Sequence, residues 1–199
     1  MECDWLVILL SAVVIILFFA RFPLFYTIRV LRCLLFPPKR PNDPLATQSL
    51  RMKVALNECD MNLHMNNGVY LTTCDFGRVS LLSSFGLGMS FLFSGVSVAA
   101  GGEMVRFRRP LNLWSSYTLT TRIAAADDKW VYVEHQMIQK KRVAVAVWVK
   151  VMFKKGGKIM APQDLLEYAG YSNKIKLPSL SHAQDQWLTA EGEMVASDA

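Results

Sequence analysis

The chain has 199 residues, enough for one domain with an appendage, and its hydrophobic content of 52% and mean hydropathy of +0.24 exceed those of ordinary soluble domains. A formal net charge of +6 suits anionic lipid headgroups or a phosphate-bearing substrate, although a generic basic surface explains it equally well. No Arg/Lys run interleaved with aromatic residues indicates nucleic acid, and no C-x-x-C spacing supports a metal site, so the cysteines are expected as free thiols of a reducing compartment.

The first long apolar stretch, Trp5 to Ala20, contains no charge and only one weakly polar residue. This length is near the lower limit of roughly 17–25 residues for a membrane-spanning helix. A cleaved signal peptide is the main alternative, but the chain starts with Glu2 and Asp4 rather than with positive charge. Basic residues follow the stretch, so the positive-inside rule predicts a single-pass anchor with the domain in the cytosol.

Composition divides the chain into four parts. These are a membrane anchor and interfacial segment at 1–36, a proline-rich linker at 37–49, a globular domain at 50–170 and a C-terminal tail at 171–199. Within the first part, Phe22 to Phe36 places two arginines among large apolar residues, a pattern typical of an interfacial helix. We expect the tail from Asn173 onward to be poorly ordered.

The globular domain alternates between two hydrophobic periods. Arg51 to Leu56 predicts a first strand, and Gly68 to Ser84 a long helix that ends at a glycine-containing stop. Period-two segments then predict four strands joined by tight turns, at Val96–Phe107 with a Gly101–Gly102 bulge, Tyr117–Ala125, Trp130–Gln139 and Val143–Phe153. The last of these is almost wholly apolar and is expected to be central. A short helix begins at Pro162. One long helix against one curved antiparallel sheet is an α+β architecture.

Polar residues are concentrated at the junction between the first strand and the long helix. In an extended segment alternate side chains point to one face, so Asp60, Asn62 and His64 are expected to converge. Asn66 or Asn67 then supplies the helix N-cap. Imidazole exchanges protons near pH ~6.5, and amides at a helix start can stabilise an oxyanion. The alternative is that His64 and the two asparagines only cap the helix and stabilise the turn.

The pattern D-x-N-x-H-x-N-N-x-x-Y, placed between strand and helix, resembles the junction motif of acyl-ACP thioesterases, which have the hotdog fold. Further shared residues are Tyr70-Leu71, Asp75-Phe76-x-Arg78-Val79, Arg108-Arg109 and Asp127-Asp128. The resemblance implies that Asp60 orients or activates, Asn62 holds a water or the thioester, and His64 acts as acid and base. The residues expected to bind substrate are Asn66, Asn67, Gly68, Tyr70, Arg106, Arg108 and Arg109, the arginines suiting the phosphates of coenzyme A.

Under this interpretation the chain is an acyl-CoA hydrolase that needs no cofactor beyond the coenzyme A moiety of its substrate. The resemblance also implies the endoplasmic reticulum membrane. A lone hotdog sheet leaves one edge open, so a homodimer or larger homo-oligomer is expected. One residue departs from the family pattern, because Pro110 stands where a glutamate follows the Arg-Arg pair. That departure favours a second hypothesis, a non-catalytic acyl-CoA-binding or scaffolding protein.

Overall fold

The computed structural model describes residue 5 and residues 7–14, 24–89, 93, 95–172 and 174–196. Of the predicted anchor at 5–20, residue 6 and residues 15–20 lie outside the described residues, whereas residue 5 and residues 7–14 are helical and exposed. No helix in the described part of the chain has the length and apolar character needed to cross a membrane. The helix α1, Leu24–Leu35, coincides with the predicted interfacial helix.

The domain contains one sheet and one long helix. Its elements are β1 (Gln48–Lys53), a 3₁₀ turn (Leu56–Glu58), α2 (Asn67–Ser84), β2 (Val96–Phe107), β3 (Ser116–Ala126), β4 (Val131–Gln139), β5 (Arg142–Lys155), β6 (Lys158–Met160), α3 (Pro162–Tyr168) and α4 (His182–Ala196). The strands form a six-stranded antiparallel sheet in the order β1-β3-β4-β5-β2, with β6 paired to β5. The predicted α+β architecture is confirmed.

Strand β5 lies between β4 and β2, as its continuous apolar sequence predicted. The register shift between Ala100 and Gly102 confirms the predicted bulge in β2. The boundaries of β1 were predicted wrongly, because the chain leaves the sheet after Lys53 and turns through the 3₁₀ segment. Strand β6, which the sequence did not predict, forms a short hairpin with the end of β5.

Helix α2 lies against the sheet, and Gly77 allows its close approach. A Cβ atom at Gly77 would collide with Thr121 Oγ1 of β3 and would lie 3.1 Å from His135 Nδ1 of β4. His135 is fully buried because β4 lies between β3 and β5. The core therefore includes polar side chains under α2 in addition to the aliphatic residues of the strands.

The expectation of a poorly ordered tail was wrong. Helix α4 packs on the sheet, where the Trp187 ring meets Tyr132 edge-on at 6.3 Å between centroids and Glu191 pairs with Lys150. The proline-rich segment is also attached to the domain. Arg40 donates to the Ala169 carbonyl at 2.5 Å and lies over an aromatic ring near the end of α3. Helix α4 and the proline-rich segment are thus both held by side chains of the domain surface. Their ordering could not be predicted from the sequences of the two segments alone.

Candidate functional site

The segment from Asp60 to His64 is a tight turn. The Leu63 amide donates to the Asp60 carbonyl at 3.1 Å, and the Asp60 amide donates to the His64 carbonyl at 2.9 Å. Leu63 lies in the left-handed region at φ 57°, which is unfavourable for a side chain of this kind. The predicted extended conformation is therefore wrong, because the turn reverses the chain within these few residues.

The turn nevertheless brings two of the three predicted catalytic residues together. His64 Nδ1 lies 3.3 Å from Asp60 Oδ2, and both side chains are about one third exposed. The second oxygen, Asp60 Oδ1, accepts the Asn62 amide at 2.8 Å. Because Nδ1 faces the carboxylate, His64 Nε2 is the ring nitrogen left to exchange protons with a substrate. The Asn62 side chain is exposed and contributes its backbone, rather than its carboxamide, to this contact.

Neighbouring backbone segments hold the turn in place. The Met65 amide donates to the Leu111 carbonyl at 2.8 Å, and the Leu113 amide donates to the Leu63 carbonyl at 2.8 Å. On its other side, the Asn66 amide donates to the Glu58 carbonyl at 2.9 Å. Turn 60–64 is thus fixed between the 3₁₀ turn before it and the loop that connects β2 to β3.

Helix α2 begins directly after this turn. Asn66 is the N-cap residue, and its Oδ1 accepts the Gly68 amide at 2.9 Å. This satisfies one of the free amides of the first helical turn. The Gly68 amide is therefore occupied, so the Asn67 amide is the better placed of the two for an oxyanion. Asn66, Asn67 and Gly68 are all exposed beside the turn.

Tyr70, predicted to bind substrate, lies behind the turn. Its side chain is buried, and its hydroxyl accepts the Leu111 amide at 3.1 Å. The Phe107 ring meets it edge-on at 5.4 Å. Burial raises the pKa of the Tyr70 phenol, while the hydrogen bond from Leu111 opposes that shift. The geometry gives Tyr70 a bracing role, in which it fixes the β2–β3 loop against the start of α2.

The predicted phosphate-binding arginines, Arg106, Arg108 and Arg109, are all exposed near the end of β2. The amides of Arg108 and Arg109 both donate to the Ala144 carbonyl, at 2.9 and 3.1 Å. Arg109 lines a shallow groove with Lys140 and Arg142 from the β4–β5 hairpin. Sequence reasoning missed these two cations, which lie far from Arg109 in the chain and reach it only through strand pairing.

An apolar cavity of about 190 Å³ lies between α2 and the sheet. Leucine side chains of α2 and the phenylalanine that follows this helix face valines of β4 and β5. The lining includes Leu81, Leu82, Phe85, Val131, Val133 and Val151. A cluster of three charged side chains borders one part of the cavity. There Arg78 pairs with Asp75, and its Nη1 lies 3.5 Å from Glu103 Oε1. An apolar cavity of this kind could hold an acyl chain. The sequence did not predict that Asp75, Arg78 and Glu103 would lie together at its border.

Glu103 does not take the place of the glutamate that Pro110 displaces. Arg78 follows the start of α2 by roughly 16 Å at 1.5 Å per residue, so Glu103 faces the middle of the helix rather than turn 60–64. Burial raises the pKa of the Glu103 carboxyl, and the Arg78 guanidinium opposes that shift. Among the residues that the structure describes, no group of three or more His, Cys, Asp or Glu side chains could hold a metal ion.

Comparison with known proteins covers the globular domain. A family model described as Thioesterase-like superfamily matches residues 54–194. The chain belongs to this superfamily. It is 32% identical over 178 residues to Protein THEM6 of Danio rerio, covering 87% of this chain and 85% of that protein. It is also 28% identical over 124 residues to a probable thioesterase of Saccharomyces cerevisiae, covering 59% of this chain and 53% of that protein.

The superfamily fold is also seen in solved structures. One is a Staphylococcus aureus protein determined in complex with CoA, which matches with a TM-score of 0.56 at 17% identity and covers 68% of this chain and 90% of that one. The predicted hotdog-like thioesterase fold is thereby confirmed. The superfamily match begins at residue 54, so helix α1 and the proline-rich segment lie before the matched region.

Proposed function

We propose that this protein hydrolyses acyl thioesters, with acyl-CoA as substrate, and that Asp60 and His64 carry out the proton transfers. The contact of 3.3 Å between His64 Nδ1 and Asp60 Oδ2 is the observation that carries the proposal. A carboxylate that holds one ring nitrogen orients the other as a general base. Membership in the thioesterase-like superfamily supports the same reaction class.

The reaction adds water across the thioester C–S bond. His64 Nε2 accepts a proton from the water as its oxygen attacks the acyl carbon, and Asp60 stabilises the imidazolium that results. The carbonyl oxygen then carries negative charge beside the start of α2, where the Asn67 amide and the helix dipole favour an anion. Collapse of this intermediate breaks the C–S bond, and His64 returns the proton to the departing thiolate.

The substrate class is proposed from two surfaces of the domain, one apolar and one basic. The apolar cavity under α2 suits an acyl chain, and the exposed arginines with Lys140 and Arg142 suit the phosphates of coenzyme A. The related Staphylococcus aureus structure, which contains CoA, adds support for this carrier.

Turnover of acyl-CoA tests the proposal directly. The full chain, purified in detergent, is incubated with an acyl-CoA series from butanoyl to palmitoyl while free thiol is followed. We expect thiol release that His64→Ala and Asp60→Ala each lower by about 10²-fold or more in kcat. His182→Ala is the matched control, because His182 is an exposed histidine at the start of α4.

Binding of acyl-CoA without turnover would refute hydrolysis. It would support the second candidate, a non-catalytic acyl-CoA-binding protein, which the proline at position 110 favours because it removes an expected carboxylate. If both His64→Ala and Asp60→Ala retain wild-type turnover, the assignment of the catalytic residues is refuted, but the proposed hydrolysis still stands.

We further propose that the protein acts as a homodimer at the cytosolic face of the endoplasmic reticulum membrane. The apolar stretch at 5–20 followed by basic residues supports the anchor. Strand β2 is the last strand in the sheet order, and its exposed Val98, Met104 and Phe107 support pairing of two copies. Protease protection of a C-terminal tag in sealed microsomes would refute this orientation, and a monomer in analytical ultracentrifugation would refute the dimer.

A further inference from the structure

We propose that Tyr26 of helix α1 closes the acyl cavity and sets the length of acyl chain that the cavity accepts. The inference rests on the proposed function, since it assigns the cavity to the acyl chain. It adds a specificity-determining residue that lies before the superfamily match, which begins at residue 54.

Tyr26 lines the cavity together with residues of α2 and the sheet. Its ring lies 5.5 Å from the Phe76 ring of α2, and its side chain is 37% exposed. One part of the ring therefore borders the cavity while another faces outward. Burial raises the pKa of its hydroxyl, and the nearby Asp75 carboxylate raises it further, so the hydroxyl stays protonated at neutral pH. The side chain acts as a neutral aromatic wall with a polar rim.

Helix α1 packs on α2 and on the 3₁₀ turn before it. Arg29 pairs with Glu58, and its guanidinium lies 5.5 Å from the centre of the Phe76 ring. Cys33 Sγ donates to the Phe76 carbonyl at 3.8 Å. No residue of α1 is buried, so the helix covers the domain without entering its core. A substitution at Tyr26 is therefore expected to change the cavity border without exposing the buried core of the domain.

The Arg29–Glu58 pair also connects α1 with the catalytic turn. Glu58 is only 5% exposed, and its Oε2 accepts the Ala55 amide at 2.8 Å. Its carbonyl accepts the amide of Asn66, the residue that caps α2. The same buried residue thus fixes α1 on one side and turn 60–64 on the other. This connection places Tyr26 at a defined position relative to the turn.

Truncation of the wall is expected to change chain-length preference. In Tyr26→Ala the cavity gains the volume of the ring, so longer chains are accommodated. In Tyr26→Trp the wall is larger, and shorter chains are favoured. Because one methylene in an apolar pocket changes selectivity by roughly 10-fold or more, the two variants are expected to shift the long-to-short ratio of kcat/KM by about tenfold in opposite directions.

The experiment uses the full chain in detergent and the acyl-CoA series from butanoyl to palmitoyl. Phe25→Ala is the matched control, because Phe25 is on the same helix, is 63% exposed and is absent from the cavity lining. The control is expected to keep the wild-type profile. Unchanged profiles in both Tyr26 variants would overturn the proposal, as would equal shifts in Phe25→Ala, which would indicate a general effect of α1.

Binding separates this proposal from the proposed hydrolysis. If the wild-type chain does not hydrolyse acyl-CoA, the same series is repeated with non-hydrolysable thioether analogues and Kd is measured. Opposite shifts in the Kd profile would support Tyr26 as the cavity wall even though hydrolysis had failed. Wild-type protein that binds none of the analogues would overturn both proposals.

Discussion

Two charged clusters lie beside α2, and they differ in whether a side-chain atom remains available to a substrate. At the start of the helix, Asp60 holds one nitrogen of His64 and leaves the other ring nitrogen available. At the middle of the helix, Arg78 lies between the carboxylates of Asp75 and Glu103. The first cluster contains an imidazole, the side chain that most often acts as a general base, whereas the second consists of a cation held between two anions. We therefore expect the chemical step at the start of α2, and we expect the middle of the helix to shape the cavity.

The largest effect expected from this comparison is on catalysis. His64→Gln should lower kcat by about 10²–10⁴-fold and change the free energy of unfolding by no more than about 0.5 kcal/mol, because the side chain is about one third exposed at the surface. Glu103→Gln, which keeps its volume, should leave kcat close to wild type. Thiol release measures the first quantity and urea denaturation the second. If Glu103→Gln lost as much activity as His64→Gln, catalysis could not be assigned to the Asp60–His64 cluster alone.

The second prediction concerns the stability of the middle cluster. Arg78→Met removes the cation between two partly buried carboxylates and should lower the free energy of unfolding by about 3 kcal/mol. Arg122→Met is the matched control, since the Arg122–Glu134 pair lies on the sheet surface with the arginine 49% exposed. That control should cost less than about 1 kcal/mol. Equal costs in urea denaturation would show that the Arg78 cluster is an ordinary surface pair.

The third prediction tests the close contact between α2 and the sheet at Gly77. In Gly77→Ala the added methyl group collides with Thr121 Oγ1, so a destabilisation of about 2 kcal/mol is expected. Gly192→Ala, on α4, meets nothing within 4 Å and should gain about 0.5–1 kcal/mol, because alanine favours the helix. Thermal or urea unfolding measures both. A gain in Gly77→Ala would mean that α2 can move away from the sheet without cost.

The smallest predicted effect is a dependence of stability on pH. Burial, with a lesser contribution from Arg78, lowers the pKa of His135 to about 3, and its Nδ1 lies 2.9 Å from Thr121 Oγ1. Below the ordinary histidine pKa, the unfolded chain binds a proton that the folded chain does not, so stability falls as pH falls from about 6.5 toward 3. Between pH 7 and pH 5.5 the loss should be about 1 kcal/mol.

His135→Leu, which cannot titrate, should reduce the slope of stability against pH in that range. The comparison uses slopes rather than absolute stabilities, because the substitution also removes the contact with Thr121. A slope equal to that of wild type would assign the dependence to other groups. Glu103 is not one of these groups, because burial raises its pKa and stability from this carboxyl therefore increases as pH falls.

Much of the sheet could be predicted because strand pattern is local. Alternation in Tyr117–Ala125 and the glycine pair in β2 predicted two strands and a bulge within a residue or two of their observed positions. The pattern at 182–196 is weakly amphipathic, so the docking of α4 through Trp187 and Glu191 was not predicted. For the same reason the burial of His135 depends on β3 and β5, which flank its strand.

The sequence by itself determined the architecture, the capped helix start and the residue types of the proposed catalytic pair. These features depend on backbone hydrogen bonds and side-chain alternation that act over a few residues. Only the tertiary structure decided that a turn, rather than a strand, joins Asp60 to His64. It alone decided that Glu103 faces Arg78 and that Tyr26 borders the cavity. Those contacts join residues distant in the chain, so packing of α1, α2 and the sheet determines them.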